Sequence, residues 1–149
     1  MNRIPSLQSQ IRPGPWSDAH RHHTVCLDKA LSSVLSIKCL SATPRKIVCE
    51  MKVEQDFITE HGTMHGGLTA TLIDIVSTAA LMNSEKGVLG VSVDMNITYI
   101  SGAKLGEELQ ITAQILKQGK HMAFTSVDLT NKATKKLIAQ GRHTKFMAY

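Results

Sequence analysis

The most constraining feature of the sequence is an apolar segment at residues 68–82 in which Asp74 is the only charged side chain. Apolar residues occupy nearly every direction around a helix drawn through this segment, and helices of that kind are buried. Gly66 and Gly67 stand immediately before the segment, and Asn83 follows it. We therefore predict a long helix over residues 66–83 that is buried and carries a single carboxylate.

Most of the remaining chain alternates apolar and polar residues, which is the pattern of β-strands. The predicted strands cover residues 37–40, 47–53, 91–100, 109–116, 122–130 and 137–146. Gaps of hairpin length separate the later strands, which predicts antiparallel pairing. The fold class is therefore α+β, an antiparallel sheet of five or six strands with the long helix across one face.

The 149 residues are most simply one domain preceded by a tail. Residues 1–23 contain three of the four prolines, so we predict a flexible tail there and a folded domain over residues 24–149. Within the domain, residues 25–35 have apolar positions at helical spacing. Asp74 keeps the longest apolar run below the roughly 18 residues of a membrane span, which argues against an integral membrane protein.

The cysteines bear on where the protein works. Cys26, Cys39 and Cys49 form no Cys-x-x-Cys pair. An odd number without that spacing favours reduced thiols inside the cell over a disulfide framework or a zinc site. The first 17 residues contain Arg3 and Arg12 and no acid, which weakly resembles a mitochondrial presequence. We expect an intracellular location, in the cytoplasm, the mitochondrion or both.

The chain is basic, with a net charge of +5 and no acidic residue after Asp128. A basic C-terminal region suits an anionic partner such as nucleic acid, phospholipid or a phosphorylated cofactor, and a solvated basic face explains the charge equally well. Aromatic residues make up only 4% of the chain and do not interleave with these bases. This argues against binding of single-stranded nucleic acid.

Asp74 and the glycines before it form a candidate site. A carboxylate in an apolar helix needs a hydrogen bond, an ion pair or a raised pKa, so Asp74 is either structural, bonded to Ser77 or Thr78, or catalytic. The first N–H groups of a helix lack internal partners and attract an anion or a developing oxyanion, and glycine leaves them accessible. On the alternative interpretation, Gly66 and Gly67 only turn the chain into the helix.

Helical geometry separates the two parts of this candidate site. Gly66 and Asp74 are eight residues apart, which is about 12 Å along a helix axis. One chain cannot easily place both beside a single carbonyl group, whereas two antiparallel helices related by a twofold axis can. The spacing therefore predicts a dimer with two shared sites, in which Gly66 of one chain faces Asp74 of the other.

Three stretches of the sequence resemble the hotdog-fold acyl-CoA thioesterases. These stretches are GTMHGGLTATLIDIVSTAAL, GVSVDMNITYISGAKLGEEL and LKQGKHMAFTSVDLTNKATKKLIAQGRHTK. The resemblance extends over about residues 28–147. It implies a hotdog fold, a homotetramer built as a dimer of dimers, and hydrolysis of medium- to long-chain fatty acyl-CoA to free acid and CoA. It also implies that no metal or redox cofactor takes part.

The resemblance assigns roles to five residues. The N–H of Gly66 polarises the thioester carbonyl, Asp74 activates the attacking water, Ser92 helps to hold that water, and His65 flanks the site. Thr59 stands where the family usually has an asparagine that positions the carbonyl, and it is the weaker candidate for a second donor. The chemistry agrees with these roles, because a helix-start N–H stabilises a developing oxyanion and a carboxylate can act as a general base.

The resemblance also implies a path for the CoA nucleotide. The predicted contacts come from one turn and one hairpin: Tyr99, Ser101, Gly102, Ala103, Lys104, Lys117, Gly119, Lys120 and His121. Arg142 and Lys145 are weaker candidates for phosphate contacts. For each lysine, an ordinary solvated position beside a turn glycine is the alternative interpretation.

Three other functions remain open from the sequence. A hotdog hydratase or dehydratase acts on acyl thioesters but usually depends on a catalytic His–acid pair. A non-catalytic module that binds acyl-CoA or a protein retains the fold without the chemistry, and the Thr59 departure fits it. A basic nucleic-acid binder is the most distant alternative, and it predicts binding that weakens steeply with salt.

Overall fold

The computed structural model describes residues 35–147. The described elements in chain order are strands β1 (Lys38–Thr43) and β2 (Lys46–Lys52), helix α1 (Gly66–Met82), and strands β3 (Val91–Tyr99), β4 (Glu108–Gln118), β5 (Met122–Asn131) and β6 (Leu137–Phe146). A single 3-10 turn, Gln55–Phe57, lies in the loop before α1. The predicted tail over 1–23, and all but the last residue of the predicted helix over 25–35, lie outside the described residues.

The six strands form one antiparallel sheet in the order β1-β2-β4-β5-β6-β3. Helix α1 lies across one face of the sheet, mainly against β4. Alternate residues of β4 are buried beneath it, as the period of two requires. The α+β class, the six strands and the helix after Gly66 were all predicted from periodicity, and the structure confirms them.

Gly141 on β6 allows α1 to approach the sheet closely. A Cβ atom at this position would lie 2.6 Å from Cγ2 of Ile73 and 2.8 Å from its Cδ1, which is too close for any larger residue without movement of the helix. Two residues further along, His143 faces the helix from the same side of β6, and Lys145 follows it. The glycine therefore brings two titratable side chains against the middle of α1.

Strand β3 lies at the edge of the sheet and pairs only with β6. Val91 is 68% exposed and Val93 is 58% exposed, and Met95 and Tyr99 are also exposed. In many proteins, large apolar side chains on a strand whose outer edge has no neighbouring strand mark a surface that another chain covers. In this chain alone, nothing among residues 35–147 covers that edge.

The alternation predicted for β3 is wrong at its start. A bulge between Ser92 and Asp94 shifts the register against β6, so that Ser92 pairs with Lys145 and Met95 pairs with His143. One inserted residue reverses the face of every side chain before it. Ser92 therefore lies on the inner face of the sheet, and not on the polar outer face that simple alternation predicts.

Burial of Asp74 was also predicted incorrectly for a single chain. The Asp74 side chain is 50% exposed. Gly67, Thr71, Asp74 and Thr78 follow one another at helical spacing, and none of the four is fully buried. These small and polar residues form a stripe on α1 that the sheet of the same chain covers only in part.

Candidate active site

The start of α1 presents free backbone donors. His65 is the N-cap residue, with φ −54° and ψ 130°, and its side chain makes no capping hydrogen bond. Its carbonyl accepts from the N–H groups of Leu68 and Thr69. Among residues 35–147, no acceptor receives the N–H of Gly66 or of Gly67. Together with the positive end of the helix dipole, these groups suit a negatively charged oxygen.

A pocket of about 370 Å³ opens beside these donors. Its lining residues are Met64, Gly66, Thr69, Tyr99, Ile100, Ser101, Gly102, Ala103 and Ile138. The Tyr99 hydroxyl donates to the carbonyl oxygen of Gly66 at 3.1 Å. A Cβ at Gly66 would lie 3.3 Å from Cε1 of the Tyr99 ring, so glycine allows this close contact. The structure thus brings Gly66 together with four residues of the predicted CoA-binding turn.

The turn itself is held by contacts to neighbouring segments. Ser101 Oγ donates to the Leu137 carbonyl at 2.9 Å, and the N–H of Lys104 donates to a Glu107 carboxylate oxygen at 2.9 Å. Gly102 sits against Thr63, whose Cγ2 would be 2.6 Å from a Cβ at that position. Ala103 is buried, and its carbonyl accepts from the N–H of Met64 at 2.8 Å.

The second predicted CoA-binding segment lies at the opposite end of the helix. Lys117, Gly119, Lys120 and His121 belong to the β4–β5 hairpin. Lys86, just beyond the end of α1, donates to the Gly119 carbonyl at 2.8 Å. The 17 residues of α1 correspond to about 25 Å. One chain therefore does not bring the hairpin lysines near the pocket at Gly66.

Among the described residues, two polar side chains contact the Asp74 carboxylate. The Thr78 hydroxyl donates to Asp74 Oδ1 at 3.5 Å, and His143 Nδ1 lies 3.7 Å from the same oxygen. Lys145 Nζ in turn donates to Thr78 Oγ1 at 2.7 Å. A carboxylate supported by these groups and still half exposed is available to a water molecule.

His143 joins Asp74 to Ser92. Its ring is 1% exposed. Nε2 lies 2.8 Å from Ser92 Oγ, and Nδ1 lies 2.7 Å from Ser77 Oγ. Ser77 Oγ also donates to the Asp74 carbonyl oxygen at 3.0 Å. Ser92 and Asp74, to which the resemblance assigns the same attacking water, therefore contact the same imidazole ring.

The sequence interpretation missed His143 and misassigned Lys145. Lys145 is only 5% exposed and faces α1, so its predicted role as a phosphate contact is wrong. Arg142 lies on the other face of β6 and is exposed. The alternation in β6 was a signal that could have identified both residues. His143 and Lys145 lie on the same face of the strand as Gly141, and that face is turned toward the helix.

Burial shifts the pKa of the two titratable residues of β6 that face the helix, His143 and Lys145. Desolvation lowers the pKa of His143 below the usual 6.5, and the positive charge of Lys145 lowers it further, while Asp74 and Asp94 act in the opposite direction. Desolvation also lowers the pKa of Lys145, against an opposing effect of Asp74. His143 is therefore neutral at neutral pH.

Because of His143, the free energy of unfolding should decrease as the pH is lowered. The unfolded chain takes up a proton near pH 6.5, whereas the folded chain resists protonation until a lower pH, so the free energy of unfolding decreases as pH falls through this window. We expect urea unfolding between about pH 7.5 and pH 5 to show a steeper loss for the wild type than for His143→Gln. Equal slopes for the two proteins contradict this assignment.

Thr59 and His65 are placed differently from the other predicted residues. Thr59 lies in the loop before α1, where its Oγ1 accepts from the N–H of His61 at 3.2 Å and its N–H donates to the Thr63 carbonyl. Its hydroxyl thus supports the loop, and a role as a second carbonyl donor stays a prediction. His65 is exposed next to Gly66.

Two further properties concern the described residues as a set. Residues 35–147 include no helix that is both long enough and apolar enough to cross a membrane. The same residues contain no group of three or more His, Cys, Asp or Glu side chains placed to hold a metal ion.

Comparison with known proteins agrees with this geometry. Residues 61–138 match the thioesterase superfamily model. The chain is 67% identical to acyl-coenzyme A thioesterase 13 of Homo sapiens over 111 residues, 74% of this chain and 79% of the relative. The crystal structure of zebrafish thioesterase superfamily member 2 matches with a TM-score of 0.79 and 57% identity, over 83% of this chain and 94% of that chain. A hypothetical thioesterase of Streptococcus pneumoniae, crystallised with coenzyme A, matches with a TM-score of 0.71 and 25% identity, over 75% of this chain and 88% of that chain.

The chain therefore belongs to the thioesterase superfamily, and the hotdog fold predicted from the sequence is confirmed. Within that superfamily it is similar over most of its domain to the acyl-coenzyme A thioesterase 13 proteins of mammals, with identities of 63% and 67%. The predicted class of enzyme, a thioester hydrolase, is confirmed at this level.

Proposed function

We propose that this protein hydrolyses medium- to long-chain fatty acyl-CoA to free fatty acid and CoA. The main support is that Gly66, whose N–H has no acceptor among residues 35–147, lines the same pocket as residues 99–103. The similarity to acyl-coenzyme A thioesterase 13 supports acyl-CoA as the class of substrate. The proposal includes no metal or redox cofactor and an intracellular place of action.

The chemistry begins at the thioester carbonyl. The carbonyl oxygen accepts from the Gly66 N–H, which stabilises the negative charge that develops when water attacks. The Asp74 carboxylate takes one proton from that water as the new carbon–oxygen bond forms. The intermediate then collapses, the carbon–sulfur bond breaks, and CoA leaves as a thiolate that takes the proton held by Asp74, which returns the carboxylate to its starting state. His65 flanks this site, and Thr59 is retained as a candidate second donor.

We propose further that each site is shared between two chains. Gly66 and Asp74 lie on one helix and make no contact with each other within the chain. The exposed stripe of α1 and the exposed apolar edge at β3 are adjacent surfaces that a twofold partner could cover together. An isologous interface of this kind brings Gly66 of one chain to Asp74 of its partner twice.

We also propose that the binding site for the CoA nucleotide is shared between chains. The two predicted CoA-binding segments lie at opposite ends of α1, so a single CoA that contacts both must lie across a boundary between chains. We propose a homotetramer, a dimer of dimers, in which Lys117 and Lys120 of one chain approach the Lys104 turn of another. Their positive charges suit the phosphates of CoA.

Release of the CoA thiol tests the proposed function. We expect purified protein to release thiol, detected with a thiol-reactive dye, from saturated acyl-CoA substrates, with the highest kcat/KM at medium to long chain lengths. Binding of acyl-CoA without more thiol release than Asp74→Asn indicates a non-catalytic binding module. Loss of enoyl absorbance without thiol release indicates a hydratase, and salt-sensitive binding to duplex DNA indicates a nucleic-acid binder.

A further inference from the structure

We propose that His143 is a positioning residue that carries its proton on Nδ1 and thereby fixes the direction of the Ser92 hydroxyl. The inference rests on the proposed function, because its consequence concerns the water that attacks the thioester. It depends on two hydrogen bonds made by one buried ring, with Ser77 and Ser92, and on the Asp74 carboxylate oxygen 3.7 Å from Nδ1.

The side of the ring that faces α1 determines the tautomer. A serine hydroxyl has one proton, and the Ser77 hydroxyl donates it to the Asp74 carbonyl oxygen at 3.0 Å. With that proton on the carbonyl, Ser77 Oγ accepts from the ring nitrogen 2.7 Å away, and this arrangement puts hydrogen on Nδ1. The Asp74 carboxylate, 3.7 Å from Nδ1, favours the same arrangement because it is negative and cannot donate.

The charges around the ring keep it neutral with this single proton. Lys145 lies on the same face of β6 and opposes a second proton, as does burial, while Asp74 and Asp94 act in the opposite direction. A neutral imidazole with hydrogen on Nδ1 has a lone pair on Nε2. Nε2 is therefore the acceptor in its 2.8 Å contact, and Ser92 Oγ is the donor.

The orientation of Ser92 has a direct consequence for water. Because its only proton is directed to Nε2, Ser92 Oγ offers lone pairs alone to any other neighbour. A water molecule at Ser92 must donate to it, and it donates its other proton to a carboxylate acting as base. With both protons engaged, an oxygen lone pair of that water is left to attack the carbonyl carbon. His143 thus acts through Ser92 and does not touch the substrate.

Nitrogen NMR of the full-length protein tests the tautomer directly. In a two-bond nitrogen–proton correlation spectrum at neutral pH, we expect Nδ1 of His143 to have the shift of a protonated nitrogen and Nε2 that of an unprotonated one. The reverse pattern overturns the inference, as does a doubly protonated ring. The measurement uses the wild-type protein, so no variant has to fold for the inference to fail.

Kinetics of matched hydroxyl deletions test the consequence. Ser77→Ala removes the acceptor that holds the Nδ1 proton, and we expect kcat to fall about tenfold to a hundredfold with KM unchanged, because Ser92 loses its fixed orientation. Ser84→Ala removes a buried serine hydroxyl that also bonds to the carbonyl three residues before it, that of Leu81, without contacting His143. We expect wild-type kcat for it. Equal kinetics for Ser77→Ala and the wild type contradict the positioning role of His143.

The two measurements separate this inference from the proposed function. A protein that releases CoA with the reversed tautomer retains the proposed function and loses the role of His143. A protein with the expected tautomer that releases no CoA loses the proposed function, and the positioning of attacking water is lost with it.

Discussion

Replacing Asp74 with Asn is expected to lower kcat for acyl-CoA hydrolysis by about 10²–10⁴-fold with little change in KM, because the variant lacks the base that accepts the proton of water. Asn has nearly the same shape and can still accept from Thr78, whose hydroxyl contacts Asp74 Oδ1. The fold and the substrate-binding pocket at Gly66 should therefore persist. Steady-state release of CoA thiol from a long-chain acyl-CoA is the measurement.

Asp128→Asn is the matched control for this substitution. It makes the same change in charge on the outer face of the sheet, where Asp128 accepts from Gln140 Nε2 at 2.8 Å and Asn can do the same. We expect wild-type kinetics from the control. If Asp74→Asn also retains wild-type kcat, the carboxylate is not the base, and its place on α1 is structural.

Replacing Gly66 with Pro is expected to lower kcat by about 10²–10³-fold, because Pro lacks the N–H that stabilises the oxyanion. The first position of a helix tolerates Pro, whose φ is already helical. The residue before a proline must be extended, and His65 already is, with ψ 130°. The loss should appear in kcat, measured with the same assay, and the secondary structure seen by circular dichroism should stay unchanged.

Gly66→Ala separates the missing N–H from the added carbon. Both variants place a Cβ about 3.3 Å from the Tyr99 ring, but only Ala keeps the backbone donor. We expect Ala to lose far less activity than Pro. If both lose activity equally, crowding of Tyr99 explains the effect and the N–H does not act on the carbonyl.

Periodicity predicted the parts of the fold that depend on burial alone. The boundaries of α1 and of the four strands after it were predicted to within a few residues, because the apolar pattern follows the sheet and the helix directly. The dimeric arrangement was inferred from the eight-residue spacing of Gly66 and Asp74 and remains a proposal. Local spacing along one helix was informative because helical rise is nearly constant.

Features that depend on pairing between strands could not be predicted in this way. The bulge after Ser92 changes which face that residue occupies, and no residue type in β3 marks it in advance. The contact between Ser92 and His143 joins residues 51 positions apart. It follows from β3 pairing with β6 at the sheet edge, which the order of elements in the chain does not determine.

Exposure of Asp74 was misjudged for a different physical reason. The sequence interpretation treated α1 as apolar all round and gave little weight to Thr71 and Thr78, which share a face with Asp74. That stripe is partly open in the single chain, because the sheet reaches it only through His143 and Lys145 of β6. A partly uncovered polar stripe beside an apolar edge strand is consistent with a surface reserved for a second chain.

Mixing two inactive variants tests the shared site most directly. Chains carrying Asp74→Asn and chains carrying Gly66→Pro are unfolded together, refolded at equal concentrations and assayed for release of CoA thiol. Half of the randomly formed dimers are mixed, and each mixed dimer has one intact site, so the account predicts about one quarter of wild-type activity. If mixed dimers are present but the activity of the mixture only equals the sum of the two variants assayed separately, the result contradicts a site shared between chains.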